Sequence, residues 1–297
     1  MANPQYGQNK FDGKLSNKGQ LDKDGGIPCQ DQYGIAPLGG SIMPPFNGTD
    51  GYSMLYGSSS FADADPYAES ATQLFPLGST LNWGDRVFKY AQMNGAVTAG
   101  KVLQQAANII ANHSQMTATA AVAASTGDTV EISVETQGDT DITANQYQEG
   151  YLIVNDADGE GQSWKIKSHP AHDHSNDPSI VITCYGKVVT ALATSSELTL
   201  TTNPYKDVIV APTAETGSVV GVTNIDMTND YYGWIQVRGP KAVLASGTIV
   251  LGQAVSRSGG TAGACLVQGD DVLHTIGQSM ASTLVSGEYA LIDLSIA

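Results

Sequence analysis

Phe88-Lys-Tyr-Ala-Gln-Met-Asn-Gly-Ala-Val-Thr-Ala-Gly-Lys-Val-Leu-Gln-Gln-Ala106 is echoed, about 145 residues later, by Trp234-Ile-Gln-Val-Arg-Gly-Pro-Lys-Ala-Val-Leu-Ala-Ser-Gly-Thr-Ile-Val-Leu-Gly-Gln-Ala254. Both stretches read as an aromatic strand, a glycine turn, an Ala-Val step, a second glycine and an apolar strand. Two such hairpins fit a β-barrel whose halves flank an inserted β module at about residues 113–202. The barrel-like or sandwich-like body then takes residues 74–112 and 203–297.

The sequence around the echo agrees. From Gly84 onward, short runs rich in Val, Ile, Thr and Tyr are broken by Gly, Asn and Asp every eight to twelve residues, a sandwich or barrel signature. Candidate strands are Arg86–Ala91, Thr129–Glu135, Tyr151–Asn155, Ser163–Ser168, Ile180–Tyr185, Leu198–Thr202, Val208–Ala211, Gly233–Val237, Thr248–Val255 and Tyr289–Leu294. Helix is scarce. Its best candidate, Gly100–Asn112, competes with a strand reading over its first half.

Residues 1–73 differ. They hold half of the 12 prolines and 11 of the 33 glycines, and they show neither a 3.6 nor a 2.0 periodicity. Among them stand single apolar anchors that include Phe11, Tyr33, Phe46, Tyr52, Tyr56 and Phe61. The expectation is a long extended N-terminal arm whose anchors dock on a surface; a disordered tail is the alternative.

Charge narrows the partners. The net charge is −15; residues 1–24 carry four lysines (Lys10, Lys14, Lys18, Lys23) against three aspartates, leaving −16 on the remainder. An acidic body repels phosphate, which argues against nucleic-acid binding. Three cysteines, Cys29, Cys184 and Cys265, without CxxC spacing argue against a disulfide framework or a zinc knuckle. No basic and apolar leader opens the chain and no window has the ~18 apolar residues of a membrane span, so a soluble protein made in the cytoplasm is expected.

Few residues suggest chemistry. His169-Pro-Ala-His172-Asp173-His174 is the densest set of metal-ligand types, but it lacks helical i, i+4 spacing and sits between strands, where a solvated loop is the simpler reading. Asp156-Ala-Asp158-Gly-Glu160-Gly has alternating oxygen ligands, yet between two strands it makes a good hairpin turn. No GxSxG, HExxH, GxxxxGK[ST] or dinucleotide fingerprint appears. We therefore expect no enzyme, no cofactor and no catalytic residue. Tyr231-Tyr-Gly-Trp234-Ile-Gln-Val-Arg238-Gly-Pro240 is the most distinctive string. Tyr231, Trp234 and Arg238 are of the types that anchor interfaces; alternatively Tyr232 and Trp234 alternate onto a core face while Arg238 caps a turn.

At this string a resemblance emerges. The run from Leu77-Gly-Ser through Ala-Asn112-His, Tyr151-Leu-Ile-Val-Asn-Asp with Gly159-Glu-Gly, Ile166-Lys-Ser-His-Pro, Asn203-Pro-Tyr, Val210-Ala-Pro-Thr, Val220-Gly-Val and Tyr232-Gly-Trp-Ile-Gln-Val-Arg-Gly-Pro resemble proteins from tailed-phage structural gene clusters. The closing Val-Ser-Gly287-Glu-Tyr-Ala-Leu-Ile-Asp-Leu is similar to the last strand of phage head decoration, or cement, proteins. The likeness covers residues 77–297 but not the arm. It implies a structural virion protein that decorates and stabilises a phage capsid, assembling with itself, as a homotrimer, and with the major capsid protein on the outer capsid surface. The alternative is a head-fibre or tail-type module that recognises a host surface glycan, and a hydrolase acting on such a glycan is a weaker third.

Overall fold

Period-2 alternation decides the local structure. In Thr129–Glu135 and Ser179–Tyr185 every second side chain is buried, the arrangement of a sheet with one face on a core. The computed structural model describes residues 64–106, 111–135, 140–177, 179–269, 273–282 and 285–296. The expected arm anchors Phe11 to Phe61 lie outside these. Asp65–Ala297 forms one compact unit, so residues 65–73, read above as arm, fall within it. The protein is all-β, with two curled antiparallel sheets and no α-helix among the described residues. Of the helical candidate Gly100–Asn112, the first half holds a strand, Val102–Gln104, and Ala111–His113 make one 3-10 turn.

In chain order the strands are β1 Glu69–Ser70, β2 Thr80–Trp83, β3 Arg86–Gln92, β4 Val102–Gln104, β5 Met116–Thr117, β6 Thr129–Glu135, β7 Tyr151–Asp156, β8 Ser163–Ser168, β9 Ser179–Tyr185 and β10 Glu197–Thr201. There follow β11 Ile209–Val210, β12 Val219–Thr223, β13 Tyr232–Leu244, β14 Ala254–Arg257, β15 Cys265–Val267, β16 Thr275–Ser279 and β17 Tyr289–Ser295. One sheet runs β5-β10-β7-β8-β9-β6 around a core that includes Ile132, Leu152, Trp164, Ile182 and Leu200. The other has eleven strands and is centred on β13.

The large sheet is an internal duplication. β12 meets β4 as Val222↔Val102, Gly221↔Leu103 and Val219↔Gln104, with a register shift after Val219. β16 meets β14 as Gln278↔Ala254, Gly277↔Val255 and Thr275↔Ser256, with the same shift. β3 meets β13 as Gln92↔Tyr232, Ala91↔Gly233, Tyr90↔Trp234 and Lys89↔Ile235; β13 meets β17 as Leu244↔Tyr289, Val243↔Ala290, Ala242↔Leu291 and Lys241↔Ile292. β4·β11 corresponds likewise to β14·β15, and the isolated parallel bridge Met93↔Val208 corresponds to Ala245↔Cys265. A one-residue slip would turn every side chain to the opposite face, so matching registers place equivalent residues on equivalent faces.

The two cores follow suit. Ala91, Met93, Val97, Leu103, Val208, Val220 and Ile235 pack together in the first repeat. Their equivalents Val243, Ala245, Ile249, Val255, Cys265, Ile276 and Ile292 pack together in the second. Between β4 and β11 the first repeat carries the whole six-stranded sheet, where the second has only the loop joining β14 to β15.

This duplication corrects the echo in the sequence. Phe88 pairs with Gln236 as Pro240 pairs with Asp293, so Phe88 corresponds to Pro240 and not to Trp234. The glycine expected to turn after Trp234 lies inside a strand: β13 runs unbroken through Gly239. The strand bulges between Gln236 and Arg238, where its register on β3 shifts; just beyond, Gly239 takes a φ of +85° and lies so close to Asp85 O that a Cβ would not fit, and the strand continues. β13 thus ends the first repeat and begins the second. The second copy of the Asn94-Gly95 turn is Ser246-Gly247, with φ of +108° and +114° at the two glycines.

Candidate interaction surfaces

The bulge in β13 also divides the aromatic string. Trp234 is 3% exposed, with its ring 5.2 Å from that of Phe75 and 5.1 Å from that of Tyr90. Phe75 stands edge-on to Tyr90, and the Leu74 amide donates to the Tyr90 hydroxyl. The expectation that Trp234 is a partner contact therefore gives way to the core reading, because its indole is already covered by residues 74–75 of its own chain. Tyr231 is half-buried and Arg238 is exposed.

At the equivalent positions of the second repeat the surface carries exposed apolar side chains, with no cover among the described residues. Leu291, which corresponds to Trp234, is 40% exposed, and Tyr289, which corresponds to Tyr232, is 51% exposed. Met280, whose amide donates to Leu291 O, is 45% exposed. The exposed turn Val250–Leu251 stands beside them, tied by the Gly252 amide to Ser279 O and by the Leu251 amide to Ser282 Oγ. Arg238 and Ala242 share this face of β13, opposite Ser295 and Leu291. Sequence reading missed this surface. Its signal was Tyr289-Ala-Leu-Ile-Asp-Leu294, an alternating strand whose outward side carries Tyr289 and Leu291 before it turns polar at Asp293.

Next to Tyr289 lies a recess of about 270 Å³ lined by Thr98, Asn224, Asp226, Lys241 and Tyr289, among others. Asp226 Oδ1 accepts the Ala99 amide, and the Tyr289 hydroxyl donates to Ala99 O, which braces the recess. Burial, with Arg86 nearby, holds the Lys241 ammonium down to a pKa of about 8. A lysine whose folded-state pKa lies below the unfolded value binds fewer protons folded than unfolded, so the penalty is present at neutral pH and is relieved as pH rises from about 8 towards 10.5. Lys241→Met is accordingly expected to raise stability at pH 7 by about 1 kcal/mol, the partial exposure of the amine having been discounted. Denaturant titrations at pH 7 and pH 10 check this: the advantage should shrink at the higher pH.

The histidine loop separates. His169 Nδ1 donates to Pro170 O at 2.8 Å while Nε2 accepts the Tyr147 amide at 3.0 Å, so both its nitrogens serve the backbone. His172 Nε2 donates to Asp177 O at 2.7 Å. Burial lowers the pKa of His169 and keeps it neutral. Only His174 turns outward, with Nδ1 2.7 Å from Asp141 Oδ1. Asp141, Asp173 and His174 bring ligand atoms within 4.8 Å of one another, but both aspartates are exposed and already hydrogen-bonded within the loop. Asp156–Gln162 connects the paired strands β7 and β8, as a hairpin turn should. Treatment with a divalent-metal chelator is expected to leave the melting temperature unchanged; a fall reversed by zinc or calcium would show a structural cation at one of these loops.

No family model, curated protein or solved structure matches this chain.

Proposed function

We propose that the chain is a structural virion protein that decorates and stabilises a tailed-phage capsid. It assembles with copies of itself, as a homotrimer, and with the major capsid protein on the outer surface of the shell. The resemblance of residues 77–297 to phage structural and head decoration proteins supports this reading. The single observation that carries it is the outer face of the second repeat, where Met280, Tyr289 and Leu291 are exposed and none of the described residues covers them, although the equivalent face of the first repeat is covered by Phe75. Such a patch on an acidic chain suits permanent protein contacts. Contacts made only in the assembled shell stabilise that shell by mass action, and many copies linked by arms add avidity. No catalytic turnover forms part of this proposal.

Imaging of particles with and without the protein tests it, together with deletion of residues 1–63. The truncated chain should keep its β-rich fold but bind particles at least about tenfold more weakly, because the second, tethered contact is lost. Equal binding would reduce the arm to a tail, and no binding by either chain would remove the capsid reading. The recess around Lys241 and Tyr289 favours a second reading, a head-fibre or tail-type module for an acidic host glycan. An ammonium can meet a carboxylate there beside a half-exposed aromatic ring. Binding of acidic oligosaccharides to the protein, with particles left undecorated, would support it.

A further inference from the structure

The duplication shows how the chain treats one of two equivalent faces. On the first repeat the stretch Leu74-Phe75-Pro76-Leu77-Gly78-Ser79-Thr80-Leu81, with a turn at Leu77-Gly78 closed by the Ser79 amide on Pro76 O, lies over the outer face. Phe75 covers Trp234 and Tyr90, Phe75, Leu77 and Leu81 are buried, and Thr80–Leu81 pair with β3. On the second repeat the positions of Tyr90 and Trp234 are taken by Ala242 and Leu291, smaller but still apolar, and they remain exposed. With Met280 and Tyr289 they make a contiguous exposed apolar patch, the kind that marks an interaction site.

The chain contains a second version of the covering stretch. Ile35-Ala36-Pro37-Leu38-Gly39-Gly40-Ser41-Ile42 repeats the apolar-x-Pro-Leu-Gly and serine pattern of residues 74–81, flanked by the aromatic anchors Tyr33 and Phe46. Residues 33–46 carry no charged side chain, so laying them on an apolar face desolvates no charge. Proline lowers the entropy lost on docking.

We propose that residues 33–46 of one copy dock on the outer face of the second repeat of another copy, over Ala242, Met280, Tyr289 and Leu291. They would lie there as residues 74–81 lie on the first repeat. This rests on the assembly reading above and names the arm segment and the surface it occupies. The contact is heterologous: arm of one chain, sheet of the next. It therefore propagates around a ring, which fits a closed cyclic oligomer.

Cysteine cross-linking of the full chain tests it. In a Cys29→Ser background, Leu38→Cys is combined with Leu291→Cys or, separately, with Met280→Cys. The control pairs Leu38→Cys with Val181→Cys, an exposed site on the six-stranded sheet. Docking brings the thiols within disulfide range and raises their effective concentration, so both face pairs should form inter-chain disulfides at least about tenfold faster than the control. Equal rates would overturn the proposal, as would intra-chain disulfides alone. Efficient cross-linking by Leu291→Cys without Leu38→Cys would overturn it too, by placing a second copy of the same face there. Particle binding by the same variants separates the two readings. Decoration without arm cross-links sinks the docking but spares the capsid function, while arm cross-links without decoration do the reverse.

Discussion

Trp234→Ala is expected to destabilise the protein by roughly 3–5 kcal/mol, the range for truncating a buried aromatic side chain. Two effects contribute. The indole is almost wholly removed from water, and its truncation would leave a void between Phe75 and Tyr90. That void is hard to close, because Phe75 sits on a stretch held by the Leu74 amide and by pairing of β2 with β3. The duplication supplies the control. Leu291→Ala, at the equivalent position of the second repeat, removes a partly exposed side chain and should cost the isolated protein only about 0.5–1 kcal/mol. Denaturation midpoints followed by far-ultraviolet circular dichroism check both. A small loss at Trp234 would mean that the segment bearing Phe75 is not seated on it in solution.

The same pair of residues shows what the sequence could reveal. Thr129–Glu135 and Ser163–Ser168 were legible to the residue, because alternation over one buried face is a local property. The core role of Trp234 was not, because what covers it is Phe75, far away in chain order and ahead of the first candidate strand, Arg86–Ala91. β12 and β16 went unread for a related reason. Each is five residues long and carries an interior glycine, Gly221 or Gly277, which in a short run reads as a breaker. The sequence predicts one strand over Thr248–Val255, yet the strand is Ala254–Arg257, because Val250–Gly252 make the turn that repeats Thr98–Gly100. β13 was cut short at Val237 because Gly239-Pro240 looks like a turn, whereas a bulge carries the chain through. The candidate surfaces suffered most. Arg238 and Trp234 share one string, but the bulge leaves one exposed and the other buried, and neither alternation nor composition encodes a bulge.

Those interior glycines support the second large effect. Gly277→Ala is expected to cost at least about 3 kcal/mol, the upper end for overpacking a rigid site. A Cβ at Gly277 would stand 2.0 Å from Asp293 O, 2.9 Å from Asp293 C and 3.0 Å from Leu294 Cα, all backbone atoms of β17. No rotamer change can relieve that, so β16 and β17 would have to part where Gly277 pairs with Leu294. Gly221, its equivalent in the first repeat, faces milder neighbours: Ile235 Cδ1 and Cγ1 at 2.9 Å and Gln236 O at 3.1 Å. The Ile235 side chain can yield by a few tenths of an ångström, so Gly221→Ala should cost about 1–2 kcal/mol. Both glycines sit at the register shift where β12 meets β4 and β16 meets β14, and the side chain is absent in each because the neighbouring strand closes over it. Thermal unfolding of the two variants measures the difference. If Gly221→Ala proved the more damaging, the close approach of β17 over Gly277 would be wrong.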